Sequence, residues 1–345
     1  MLGRSALLAA TNSTIPGFGA KYANPTTLPT APVLGVAFSP DESAIAFGSD
    51  TSPFIHAYQW SPANGFGAKY ANPSTLPGNT VWSLTFSADG NAIIATNQFS
   101  TIAYQWSPVT GFGARYTNAS TPPSGSAYNI SLRSPGDVIA RSGVSSPYIA
   151  AYPFSSASGF GVIYSPPNTV PSVTGPGRGC AFSNNGDAIA VTYTGPPYAS
   201  IYRWSSGFGT RYSDPSTAFQ ATANRWSCAF SPTDDAIAFC QSEIYRWTWA
   251  SGFGTKYPDL SAPCDVNIAF NPSGNVLAGL SAGSPYVHAW PWSSANGAGT
   301  KYANPETLPA APTGAGHGIS FSPSGNALAM GGNVSPFITV YKWNS

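Results

Sequence analysis

One hexapeptide, returning seven times, constrains this chain more than any other feature. It reads GFGAKY from Gly17 and again from Gly65, GFGARY from Gly111, GFGVIY from Gly159, GFGTRY from Gly207, GFGTKY from Gly252 and GAGTKY from Gly297. Successive copies start 48, 46, 48, 48, 45 and 45 residues apart. That period lies at or just above the length of a propeller blade and well above that of ankyrin or tetratricopeptide units. Repeats of this kind pack on their neighbours, so one architecture can use all 345 residues without dividing into separate domains.

Three more segments recur inside each period, and each reads as a strand because β-branched, aromatic and small apolar residues are bounded by turn residues. The first is GVAFS at 35–39, with SLTFS, GCAFS, SCAFS, NIAFN and GISFS in later repeats; the second is AIAFG at 44–48, with AIIAT, AIAVT, AIAFC, VLAGL and ALAMG. The third ends in an aromatic pair spaced by two, such as Tyr58 and Trp60 or Tyr104 and Trp106. Spacing of two puts both rings on one face of a strand. A pair present in every repeat fits packing between sheets better than a cofactor platform, which would use a few special copies. Four strands per repeat make one antiparallel blade, and seven blades make a ring. The expected fold is therefore all-β, a seven-bladed β-propeller with four-stranded antiparallel blades. The last repeat supplies only three strands, so residues 17–22 are expected to join it as the outermost strand and close the ring. Residues 1–16 fall outside the repeats and read as an N-terminal arm ahead of a propeller over 17–345.

Composition supports a packed core, with 42% hydrophobic and 14% aromatic residues, and the regular apolar runs argue against disorder despite 36 Gly and 33 Pro. Charged residues make up 8% and the formal net charge is +1, with the basic residues scattered through the repeats. Nucleic acid is not an expected partner, since phosphate binding needs clustered Lys and Arg. Cys180, Cys228, Cys240 and Cys264 show neither metal-type spacing nor a disulfide framework. Cys180 and Cys228 stand where other repeats place Val36, Leu84, Ile130, Ile268 and Ile319, and read as small buried hydrophobes. The apolar run near the N-terminus is too short for a secretory signal, and no segment approaches the roughly 20 apolar residues of a membrane span. Membrane insertion is not expected, and folding in a reducing cytoplasm fits.

The phrase AFSPDESAIAFGSD at 37–50 resembles a WD40 repeat, and the resemblance extends over 17–345. The chain departs from that family in lacking the Gly-His dipeptide, the recurrent Asp between the second and third strands, and the Trp-Asp ending. The combination of GFG-x-[Lys/Arg]-Tyr, Asn-Pro-x-Thr-Leu-Pro, AFSP-x-Gly-Asn-Ala and Ser-Pro-Phe/Tyr-Ile is similar to WD40-like propellers encoded by tailed bacteriophages. That resemblance implies a virion component, assembled in the host cytoplasm, with other virion proteins as partners.

Chemistry-bearing patterns are sparse. Sialidase-type Asp boxes are missing, and no run of alternating Asp offers the hard oxygen ligands of a calcium loop. His56 and His288 hold equivalent positions in blades one and six, too far apart around the ring to share a metal; His317 is the third histidine. Asp89, Asp137, Asp187 and Asp235 sit near turns and read as turn caps. Lys21, Lys69, Arg115, Arg211, Lys256 and Lys301 recur on the outermost strand, where charge discourages edge pairing. No catalytic, cofactor-binding or metal-binding residue is singled out, and no cofactor is expected. Function is expected instead in the long polar loops after the GFG strands, with Asn72, Ser74, Thr75, Asn304 and Thr307 as candidate loop-face residues. Leu2, Leu7 and Leu8 of the arm are candidate partner-docking residues. The leading expectation is a non-enzymatic structural or docking component of a virion. The second is a carbohydrate-binding propeller for host-surface adsorption, its repeated loops making multivalent weak contacts with glycan.

Overall fold

The computed structural model describes residues 15–119, 125–220, 225–311 and 317–344. These form seven antiparallel sheets of four strands. Each innermost strand touches the innermost strand of the next blade, and blade seven returns to blade one. In blade one the strands run Val33–Phe38, Ala44–Ser49, Ile55–Ser61 and Gly65–Lys69 from the axis outwards.

The ring closes as the sequence predicts. Gly17–Lys21 pairs antiparallel with Ile338–Asn344, setting Gly17 opposite Asn344 and Phe18 opposite Trp343. Tyr22 continues the ladder, its N–H donating to the Val340 carbonyl at 2.9 Å. The chain is thus a seven-bladed β-propeller whose seventh blade is built from both ends.

The second strand of each blade is buried on both faces, which is why AIAFGS contains no charge. Its alternation of small and large side chains has a packing reason. Ile45, Phe47, Tyr58 and Trp60 of blade one lie against Ala327 and Ala329 of blade seven, while Ala44, Ala46 and Ala57 lie against Ile93, Tyr104 and Trp106 of blade two. Every blade therefore offers an alanine-rich face to the bulky face of its successor, which lets the two sheets approach closely. The aromatic pair serves this interface, as expected from its presence in every repeat.

The hexapeptide also has a physical explanation. Its first glycine holds a left-handed backbone, φ +79° at Gly65, and a Cβ there would stand 2.8 Å from Cδ1 of Tyr22, the last residue of the preceding copy. The same tyrosine donates its hydroxyl to the Pro62 carbonyl at 2.6 Å and packs edge-on to Trp60 at 4.8 Å. Tyr70 repeats this on Gly111, Pro108 and Trp106. At the closure Tyr302 covers Gly17. The end of each copy grips the beginning of the next around the whole circle.

Turns before the third strand place aromatics at positive φ, 67° at Phe54, 65° at Tyr148 and 66° at Phe337. Such a conformation costs a bulky residue roughly 1–2 kcal/mol. Phe54, Tyr148 and Phe337 each pack against a core cluster shared between blades, which offsets that cost. The four cysteines are free and buried, and burial pushes the Cys228 thiol well above its ordinary value. Buried His56 and His288 lie in separate blades, each with Nε2 3.4 Å from a serine hydroxyl, Ser49 and Ser281 respectively.

Candidate functional site

Three loops spell Asn-Pro-x-Thr-Leu-Pro: 24–29, 72–77 and 304–309. They lead into blades one, two and seven, three consecutive sectors of the ring. In each loop both prolines are buried and the three residues between them are exposed. A tyrosine buried in the third strand then ties the loop from below. Tyr58 donates to the Thr27 carbonyl at 2.7 Å, Tyr104 to the Thr75 carbonyl at 2.8 Å, and Tyr341 to the Thr307 carbonyl. From the side, Lys69 donates to Asn72 Oδ1 at 2.9 Å and Lys301 to Asn304 Oδ1 at 2.6 Å. Lys69, at the end of its outermost strand, and Lys301, beyond the short strand Gly297–Ala298, therefore fold back onto their own loops, a use that edge protection alone does not describe. Arg115 does the same to Asn118 at 2.9 Å.

Pinned in this way, the loops are long but held at both ends and in the middle. Asn97 donates to the Pro77 carbonyl at 3.1 Å, which shows that the loops and the turns between second and third strands share one face of the ring. All five loop-face candidates are exposed. Asn72 and Asn304 use their amide oxygens to hold the loop, and Thr75 and Thr307 use their backbone carbonyls. The group at Asn72, Ser74 and Thr75 is separated from Asn304 and Thr307 by the loop 24–29, so the five residues do not converge on one pocket. They belong to an arc of equivalent tips, each ending in an exposed leucine: Leu28 at 37%, Leu76 at 37% and Leu308 at 43%. Leu2, Leu7 and Leu8 lie outside the described residues.

The turn carboxylates are occupied locally. Burial alone would raise the pKa of Asp89, but hydrogen bonds from the Ser156 and Ser87 hydroxyls and the Asn91 amide outweigh it and hold the group at about 2. Asp187 and Asp235 accept from the Ser183 and Ser231 hydroxyls at 3.0 and 2.8 Å. Asp137 instead pairs with Arg133 at 3.0 Å. Among the described residues no three of His, Cys, Asp and Glu gather as a metal-ion site.

A second feature escapes sequence reasoning. Four residues before the last apolar residue of the innermost strand, the seven repeats carry Leu34, Trp82, Tyr128, Arg178, Trp226, Val266 and His317. The four bulky members are contiguous, on blades two to five. Trp82 and Tyr128 meet edge to face at 5.1 Å, and the Arg178 guanidinium lies 4.0 Å from the Tyr128 ring centre and 4.2 Å from that of Trp226. Trp82, Tyr128 and Trp226 border an axial cavity of about 270 Å³ lined by the innermost strands of all seven blades. The signal was available in the register of the GVAFS segments, where these positions depart from their neighbours. A larger cavity, about 370 Å³, opens among the turns after the innermost strands, but its Ser183 and Asn271 side chains are bonded within those turns.

Neither a comparison with models of known protein families nor one with curated proteins finds a match to this chain.

Proposed function

We propose that this propeller is a non-enzymatic docking or structural component of a bacteriophage virion, serving as a capsid decoration, adaptor, tail or fibre component. The observation that carries the docking reading is the arc of three consecutive, near-identical loops at 24–29, 72–77 and 304–309. Each is fixed by two buried prolines and a buried tyrosine, and each presents the same Thr-Leu tip. A partner meeting three equivalent tips on a rigid ring loses little loop entropy on binding. The virion setting rests on the likeness of the repeat motifs to phage-encoded propellers, and it names other virion proteins as partners and the assembled particle as the location.

The test is protein identification in purified particles, combined with a triple substitution, Leu28→Ser, Leu76→Ser and Leu308→Ser. The expected result is a chain present in particles and a variant that folds normally but fails to incorporate. Absence of the parent chain from particles would sink the virion reading, and normal incorporation of the variant would sink the role of the loops.

A second reading, attachment to host-surface glycan, draws on the same arc. The exposed polar residues Ser74, Thr75 and Thr307 recur on spaced tips, as multivalent weak binding requires. A glycan array with the intact chain distinguishes it from protein docking.

A further inference from the structure

We propose that the rim of the axial cavity at Trp82, Tyr128, Arg178 and Trp226 is a binding site for one acidic sugar residue, whose carboxylate is held by the Arg178 guanidinium. This site goes beyond the docking reading and does not rest on it.

Four arginines stack on aromatic rings, and three of the four also have acceptors for their N–H groups. Arg203 lies 4.6 Å from the Tyr212 ring centre and donates to the Trp249 and Ala250 carbonyls at 2.9 and 2.8 Å. Arg246 lies 4.6 Å from that of Tyr257 and donates to the Ser294 and Ala295 carbonyls at 2.8 and 2.7 Å. Arg225, against Tyr198 and Phe219, is paired with Glu243. Arg178 is different: its guanidinium is sandwiched between Tyr128 and Trp226, yet among the described residues no acceptor or carboxylate meets its two terminal nitrogens. Stacking fixes the plane of a guanidinium and occupies its faces, and burial takes Nε out of a ligand's reach. The in-plane edge formed by the two terminal nitrogens, which recognises a carboxylate through two parallel hydrogen bonds, remains unspent.

The surroundings select the ligand class. None of the residues that line the adjoining cavity is charged, so nothing there neutralises the cation. Its polar lining includes Ser83, Asn129, Asn267 and Ser320; the Asn267 amide and Ser320 hydroxyl are bonded to His317 and Phe321, and Asn129 Oδ1 accepts from Cys180 N–H, which leaves the Ser83 hydroxyl and the Asn129 amide N–H groups for the hydroxyls of a sugar. At about 270 Å³ the cavity falls just below the roughly 300–1,000 Å³ typical of ligand sites. That is room for one ring and not for an extended peptide. Arg178 covers one face each of Tyr128 and Trp226, and the ring surface of Trp82 and Trp226 left at the cavity edge is the apolar patch against which the C–H face of a pyranose packs.

The experiment is titration of the full chain with D-glucuronate, D-glucose and a free-carboxylate tripeptide, read by calorimetry and by tryptophan fluorescence. D-glucuronate should bind and change the fluorescence, D-glucose should bind at least about tenfold more weakly, and added salt should weaken the acidic sugar alone. Arg178→Gln should lose about tenfold or more of the glucuronate affinity with an unchanged melting curve, and Arg178→Lys should recover only a fraction of it because an ammonium cannot make the paired bond. Three results would each overturn the assignment: no glucuronate binding at ~50 mM, equal binding of glucose and glucuronate by the parent chain, or tighter binding of the tripeptide. The comparison of ligands on the parent chain stands even if a variant folds poorly.

Discussion

Replacing Tyr22 with alanine tests whether the first strand closes the ring as firmly as any internal joint. Tyr22 is 7% exposed, sits 4.8 Å from the ring of Trp60 and donates to the Pro62 carbonyl at 2.6 Å. An aromatic ring of this kind removes about 150–250 Å² from water, which at ~25 cal/mol/Å² amounts to about 4–6 kcal/mol as an upper figure. Measured truncations of large aromatic core residues to alanine cost about 3–5 kcal/mol, and the same range is expected here. An internal control exists in Tyr212, which is 6% exposed, 4.8 Å from Trp247 and bonded to the Trp249 carbonyl at 2.8 Å. Tyr22→Ala and Tyr212→Ala should therefore lower the guanidinium-chloride midpoint by similar amounts, read by tryptophan fluorescence and circular dichroism together. If Tyr22→Ala stays within about 0.5 kcal/mol of the parent while Tyr212→Ala loses its full share, the first strand is an accessory and the reasoning fails. Removing residues 1–25 should lower the unfolding temperature sharply, and an unchanged melting curve would count equally against the latch.

Further outcomes follow from other sites. Glu243→Gln leaves Arg225 buried against Tyr198 and Phe219 without its countercharge and should cost about 3–5 kcal/mol by denaturant titration. Asp259→Asn, which breaks only the half-exposed partner of Lys256, should cost less than about 1 kcal/mol. Gly78→Ala, at φ +81° with open space around the new carbon, should cost roughly 1–2 kcal/mol for the left-handed backbone; Gly65→Ala has nearly the same φ and meets Tyr22 as well, so the same titration should show a distinctly larger loss. Burial, aided by Lys69, pushes the His56 imidazole down from 6.5 to about 4, so the unfolded chain binds its proton more tightly than the folded one. Its contribution, about 3 kcal/mol, is complete above pH 6.5 and is lost as pH falls towards 4. His56→Gln should flatten the stability profile across that window, and an unaltered slope would contradict the assignment.

The ring was legible because its determinants recur. GFG segments, apolar runs and aromatic pairs each appear at one place per period, and closure follows from counting the strands left at either end. The contacts between copies were not legible. Periodicity reveals that Gly65 and Tyr22 belong to repeating positions, but not that one copy's tyrosine rests on the next copy's glycine. The basic residues expected on the outermost strands illustrate a related gap: read as edge charges, Lys69 and Lys301 turn out to fasten loops through Asn72 and Asn304, and Lys301 lies beyond its strand, Gly297–Ala298. Features that break the repeat were hardest to see. Glu243 occupies the third-strand position that holds His56 and His288 elsewhere, and its partner Arg225 sits just ahead of an innermost strand, so neither belongs to a consensus. Arg178 and its two flanking rings come from three different repeats, and only the assembled ring makes them neighbours.

With Gly17 opposite Asn344, and Asn344 Nδ2 also donating to the Ile15 carbonyl at 3.2 Å, the chain enters and leaves the ring at one spot on its perimeter. A load applied between the two ends would therefore act on a single pair of strands, at the end where they diverge. Its hydrogen bonds would break in succession, as in a zip, and not together as in shear. Pulled by its ends the ring opens blade seven first, whatever the strength of the other six; pushed or held across its faces, it shares the load among all seven.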